Sequence, residues 1–76
     1  MKIITLNLNG IRAASRKGML EWLKLENPDF ICVQELKAQE ADLTSDMLNP
    51  DGYMGFFSYA VKKGYSGVGI YSKISP

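Results

Sequence analysis

Asn27-Pro28-Asp29-Phe30-Ile31-Cys32-Val33-Gln34-Glu35 is the stretch that decides the fold. Phe30 to Val33 is a continuous apolar run behind a turn signal, the pattern of a strand buried on both faces. It ends in an acidic residue. A carboxylate at the carboxyl end of such a strand sits where open α/β sheets present ligand groups. Upstream, Lys2 to Leu8 is apolar and β-branched, with Ile4, Leu6 and Leu8 on one face and Ile3, Thr5, Asn7 and Asn9 on the other. That run turns polar at Asn7, Asn9 and Gly10. Two strands delivering oxygen ligands at the same end suggest a metal or phosphate site.

Between the two strands, Ser15 to about Glu26 has helical periodicity. Lys17, Glu21 and Lys24 form a polar edge, and Met19, Leu20, Trp22 and Leu23 an apolar stripe. Ser15 is a suitable N-cap and Asn27-Pro28 a stop. Strand, helix and strand make a βαβ unit, so the strands are expected to be parallel with a right-handed crossover. That order places Asn7 and Glu35 at one edge of one sheet. Further on, Ala38 to Leu48 fits a short helix ending before the turn Asn49-Pro50-Asp51-Gly52. Tyr53 to Tyr59 and Gly67 to Ser72 read as strands, and the intervening Lys62-Lys63-Gly64-Tyr65 favours a hairpin with a long loop. The expected class is α/β, a βαβ unit followed by a β-hairpin. Without repeats, linkers or low-complexity tracts, residues 1–76 are expected to belong to a single domain.

Composition narrows the function classes. The chain has 76 residues, 46% apolar and 22% charged, as ordinary globular proteins do. A chain this short buries only roughly 60–65% of its unfolded surface. Its net charge of +1 does not by itself announce a nucleic-acid binder. The single cysteine, Cys32, lies within a strand and reads as a core residue rather than a reactive thiol. No apolar run approaches the roughly 18 residues of a membrane span, and no secretory signal precedes the first strand. Cytoplasmic residence is the expectation.

Glu35 has two readings, a solvated strand-end carboxylate or a ligand. Asn7 and Asn9, from the neighbouring strand end, favour the second. A hard cation such as Mg²⁺ takes few carboxylates, keeps several waters and accepts phosphate oxygens. Zinc fits poorly, because the chain has no histidine and one cysteine. Asn9-Gly10 also reads as plain turn chemistry, whereas Asn7 lies inside the strand. Arg12, Arg16 and Lys17 follow the first strand, Lys37 follows Glu35, and Lys62-Lys63 precede Gly64-Tyr65. Each is either a solvated surface charge or part of a track for a polyanion backbone.

Three segments in combination carry a resemblance: Leu6-Asn7-Leu8-Asn9-Gly10-Ile11-Arg12-Ala13, Pro28-Asp29-Phe30-Ile31-Cys32-Val33-Gln34-Glu35-Leu36-Lys37, and Gly64-Tyr65-Ser66-Gly67-Val68-Gly69-Ile70-Tyr71-Ser72-Lys73. The chain resembles the exonuclease III type of apurinic/apyrimidinic endonuclease, within the endonuclease/exonuclease/phosphatase superfamily. The match runs from Met1 to Pro76. It implies part of a four-layer α/β sandwich of DNase I-like type. It implies that Glu35 and, beside it, Asn7 are the metal-site residues, and that Asn9 is a more distant partner where some members carry aspartate. Arg12, Ala13, Lys17, Lys37, Gly64 and Tyr65 would contact the DNA backbone.

The implied reaction is Mg²⁺-dependent phosphodiester hydrolysis, with Mn²⁺ an alternative metal, cutting 5′ to abasic sites and trimming 3′ ends of double-stranded DNA. The implied parent is a monomer in the bacterial cytoplasm, associated with DNA. The resemblance also implies that these residues are the N-terminal portion of a larger domain, whose remaining catalytic groups lie beyond Pro76. The chain alone is therefore expected to be inactive and prone to aggregate. Two other readings stay open: a phosphatase or phosphodiesterase of the same superfamily acting on a non-DNA substrate, and a non-catalytic chain that binds DNA or a partner.

Overall fold

The computed structural model describes residues 1–61 and 66–74. β1 (Ile3–Asn7) is followed by α1 (Ile11–Arg16), α2 (Met19–Glu26) and β2 (Phe30–Gln34). A 3₁₀ turn at Glu40–Asp42, α3 (Ser45–Leu48), β3 (Tyr53–Ser58) and β4 (Val68–Lys73) follow among the described residues. The four strands form one sheet in the order β1-β2-β4-β3. β1 and β2 are parallel, as a βαβ unit requires, with Asn7 opposite Gln34. β3 and β4 form the antiparallel hairpin, and β4 also pairs antiparallel with β2, making the sheet mixed.

Four expectations change. The single helix over Ser15–Glu26 is two helices, with Lys17 capping α1 and Gly18, at φ 100°, opening α2. Gly10, rather than Ser15, precedes the first helical turn. α1 starts early because the amide of Ile11 donates to the Leu36 carbonyl at 2.9 Å and its side chain is fully buried. The Ala38–Leu48 helix is replaced by the 3₁₀ turn and the one-turn α3, where the Thr44 side chain accepts from the Met47 amide. β2 is not buried on both faces: Ile31 and Val33 are buried, but Phe30, Cys32 and Gln34 are only half-buried.

The reason is that helices cover only one side of the sheet. Ile31, Val33, Tyr53 and Tyr71 face Leu8, Ile11, Met19, Leu23, Leu36 and Ala38 in a single buried cluster. Two tyrosine hydroxyls close it, Tyr53 donating to the Pro28 carbonyl and Tyr71 to the Met47 carbonyl, both at 2.6 Å. Gly69 lies under the Phe57 ring, which a β-carbon there would strike. The opposite face carries Ile3, Phe30, Met54, Phe56, Val68 and Ile70, all exposed except the half-buried Phe30. The register sets them in adjacent rows: Ile3 opposite Phe30, Met54 opposite Ser72, Phe56 opposite Ile70. Among the described residues, no helix is long and apolar enough to cross a membrane.

Burial pushes the Tyr71 phenol well above its ordinary range, with nearby Tyr59 adding to the shift. An acid whose folded-state value is raised stabilises the fold below the unfolded value and loses that contribution as pH climbs past it. Tyr71→Phe is expected to flatten the fall in stability above about pH 10. It should cost about 1 kcal/mol at neutral pH through the lost hydrogen bond. Urea denaturation across that range checks both signs. Tyr53 and Tyr59 shift in the same direction, so part of the slope should remain.

Candidate metal and phosphate site

The parallel pairing of β1 and β2 continues past both strand ends. The amides of Leu8, Gly10 and Ile11 donate to the carbonyls of Gln34, Glu35 and Leu36 at 2.9, 2.8 and 2.9 Å. Two chain segments that leave the sheet side by side must bring Asn7 and Asn9 against Glu35 and Lys37. Leu36 and Ala38 are buried at 0% and 2% exposure, which pins the alternate positions inward. Glu35 and Lys37 accordingly take φ values of 54° and 51°, and Asn9 one of 48°. For residues with long side chains such a conformation costs about 1 kcal/mol or more, and it persists where the surroundings over-determine it. Asn27 is the only other non-glycine residue with positive φ among those described. The strain is concentrated at this site.

The side chains form a closed ring. The Asn7 amide group donates from Nδ2 to Glu35 Oε2, and its Oδ1 accepts from the Asn9 amide at 2.9 Å. Lys37 Nζ donates to Asn9 Oδ1 at 2.6 Å and lies 3.7 Å from Glu35 Oε1. Arg12 joins from α1, its Nη2 donating to the Lys37 carbonyl at 3.3 Å. The ring stays wet, with the Glu35 and Lys37 side chains 37% and 41% exposed.

Asn7 thus presents its donor to Glu35 and spends its oxygen on the turn. It holds the carboxylate in place through Oε2, while Oε1 lies beside the Lys37 ammonium. Among the described residues, no three His, Cys, Asp or Glu side chains come together. A lone, oriented, part-exposed carboxylate fits a hard divalent ion that keeps waters and takes substrate oxygens. It does not make the closed thiolate or imidazole cage of structural zinc.

Three of the other expected contacts lie on or at the end of α1. Arg12 is exposed on α1, Ala13 is half-buried behind it, and Lys17 is exposed at the α1 C-terminus. Gly64 and Tyr65, with Lys62 and Lys63, lie outside the described residues. An open groove of about 380 Å³ runs from Asn7 and Asn9 past Lys17 to Trp22. Trp22, on the expected apolar stripe, is 38% exposed. Met19 and Leu23, one turn apart, are the buried pair on α2. Leu20 and Trp22 flank that pair at equal angles around the helix, so periodicity alone does not separate the half-buried one from the exposed one.

Residues 4–76 match the Endonuclease/Exonuclease/phosphatase family, and the chain belongs to it. It is 47% identical over 77 residues to an exodeoxyribonuclease of Bacillus subtilis (strain 168), matching all of this chain and 29% of that protein. It is 38% identical over 76 residues to a DNA-(apurinic or apyrimidinic site) endonuclease of Dictyostelium discoideum, matching all of this chain and 21% of that protein. Among solved structures it is similar to an AP endonuclease from Archaeoglobus fulgidus, with a TM-score of 0.81 and 36% identity. That match covers 95% of this chain and 27% of the other. It is also similar to an AP endonuclease from Leishmania major, with a TM-score of 0.79, 38% identity, and coverage of 97% and 24%. The chain therefore spans less than a third of the length of these relatives. Its α/β fold is part of the DNase I-like architecture of those AP endonucleases.

Proposed function

We propose that these residues form the metal- and phosphate-binding wall of a Mg²⁺-dependent DNA-repair nuclease, one that hydrolyses phosphodiester bonds 5′ to abasic sites and at 3′ ends. The observation that carries this reading is the Glu35–Asn7–Asn9–Lys37 ring at the carboxyl ends of two parallel strands, with Arg12 joined to it. Similarity to an exodeoxyribonuclease and an AP endonuclease supports DNA as the phosphate source.

In this reading Glu35 holds Mg²⁺, or Mn²⁺ in its place, and the ion supplies charge stabilisation at the scissile phosphate. Asn7 fixes the carboxylate by its amide donor. Lys37 neutralises phosphate charge, and Arg12, Ala13 and Lys17 follow the DNA backbone away from the site. Gly64 and Tyr65 are proposed as a second backbone contact on the strength of the resemblance. Asn9 orients Lys37. The base that activates water is not among the residues brought together here, so the chain is proposed to act as one portion of a single larger domain and to be inactive alone. Cytoplasmic residence beside DNA follows from the same reading.

The test is substrate choice by the complete domain. A duplex with one abasic site should be nicked in Mg²⁺, with the 76-residue chain alone giving no product. Turnover of a phosphoinositide in place of abasic DNA would move the assignment to another branch of the same family. Nicking by the isolated chain would remove the claim that it lacks the catalytic base.

A further inference from the structure

Lys37 is not placed as a free surface lysine. Its backbone is held at φ 51° between buried Leu36 and buried Ala38, and its carbonyl accepts from Arg12. Its ammonium lies 2.6 Å from Asn9 Oδ1 and 3.7 Å from Glu35 Oε1. Both oxygens of the carboxylate are therefore engaged, Oε2 by the neutral Asn7 amide and Oε1 by a cation. The Asn7 contact is compatible with a metal ion on Glu35. The Lys37 contact is not, because two cations on one oxygen repel at this range. Asn9 carries no charge, so it holds the ammonium by a hydrogen bond that an incoming anion can replace.

We propose that Lys37 is the resident counter-cation of Glu35, displaced when a divalent ion takes that carboxylate and released toward the substrate phosphate. The proposal deepens the reading of Glu35 as a metal-binding residue and rests on it. Two consequences follow. Lys37 makes metal binding weaker than Glu35 and Asn7 would make it alone. An anion that draws Lys37 away tightens metal binding, and by linkage the metal tightens anion binding to the same degree.

The experiment is Mn²⁺ binding to the complete domain, read from the electron paramagnetic resonance signal of free ion, with and without inorganic phosphate. Wild type is compared with Lys37→Gln, Lys37→Asn and Glu35→Gln. Asparagine tolerates positive φ, so Lys37→Asn covers any loss of folding by Lys37→Gln. Both Lys37 variants are expected to bind Mn²⁺ about tenfold more tightly than wild type. After allowance for the Mn²⁺–phosphate complex, phosphate should tighten Mn²⁺ binding in wild type and leave the Lys37 variants unchanged. Equal binding by wild type and Glu35→Gln would remove the site reading and this proposal with it. Glu35-dependent binding that is unchanged or weaker in both Lys37 variants would overturn the proposal alone.

Discussion

Glu35→Gln in the complete domain is expected to lower Mg²⁺-dependent cleavage of an abasic duplex by about a hundredfold to a thousandfold, as loss of one charge-stabilising group does. The change is nearly isosteric, so the fold should survive. Glutamine keeps an oxygen toward Asn7 but carries no charge for the metal. The loss should be partly recovered at raised Mg²⁺ if binding is what fails, which a metal titration of the rate would read. Asn7→Ala should act more mildly, costing about 10- to 100-fold in metal affinity, because it removes the donor that orients the carboxylate. Full activity of Glu35→Gln at low Mg²⁺ would end the assignment of this site.

The second large effect concerns the uncovered face of the sheet. Ile3 and Phe56 are exposed at 59% and 56%, with Val68, Met54 and Ile70 at 50%, 46% and 44%. Covering a large apolar side chain gives about 2 kcal/mol, so such a face drives association when nothing lies on it. The isolated chain is expected to self-associate, with a sedimentation profile heavier than a monomer. Phe56→Lys together with Ile70→Lys, neighbours across β3 and β4, should restore the monomer without changing its far-ultraviolet circular dichroism. The same pair in the complete domain should be destabilising by several kcal/mol if this face is covered there, since two lysine ammonium groups would be buried without partners. A monomeric wild-type chain with a cooperative thermal transition would overturn the account.

Much of this was legible in the residues. The apolar run Phe30 to Val33 and the alternation of Ile4, Leu6 and Leu8 located both strands, and their order required parallel pairing. The turn Asn49-Pro50-Asp51-Gly52 separated the hairpin correctly. The helices were less legible. Helical periodicity persists across Lys17-Gly18, and only the pull of buried Ile11 toward Leu36 starts α1 early enough to need a break there. Asn7 and Glu35 could be placed at one sheet edge, but the sequence could not say that Asn7 offers its donor rather than its oxygen. That choice depends on the Asn9 amide arriving at its other side.

Sequence alone therefore determined the strands, the parallel pair and the end of the sheet at which Asn7 and Glu35 gather, because side-chain periodicity and chain order are local properties. Tertiary structure decided the rest. Only the pairing that continues beyond β1 and β2, with Leu36 and Ala38 held in the core, forces Glu35 and Lys37 into strained backbone. That constraint turns a lysine two residues along the chain back onto the carboxylate. It makes a counter-ion pair from residues that, read in order, were a ligand and a phosphate contact.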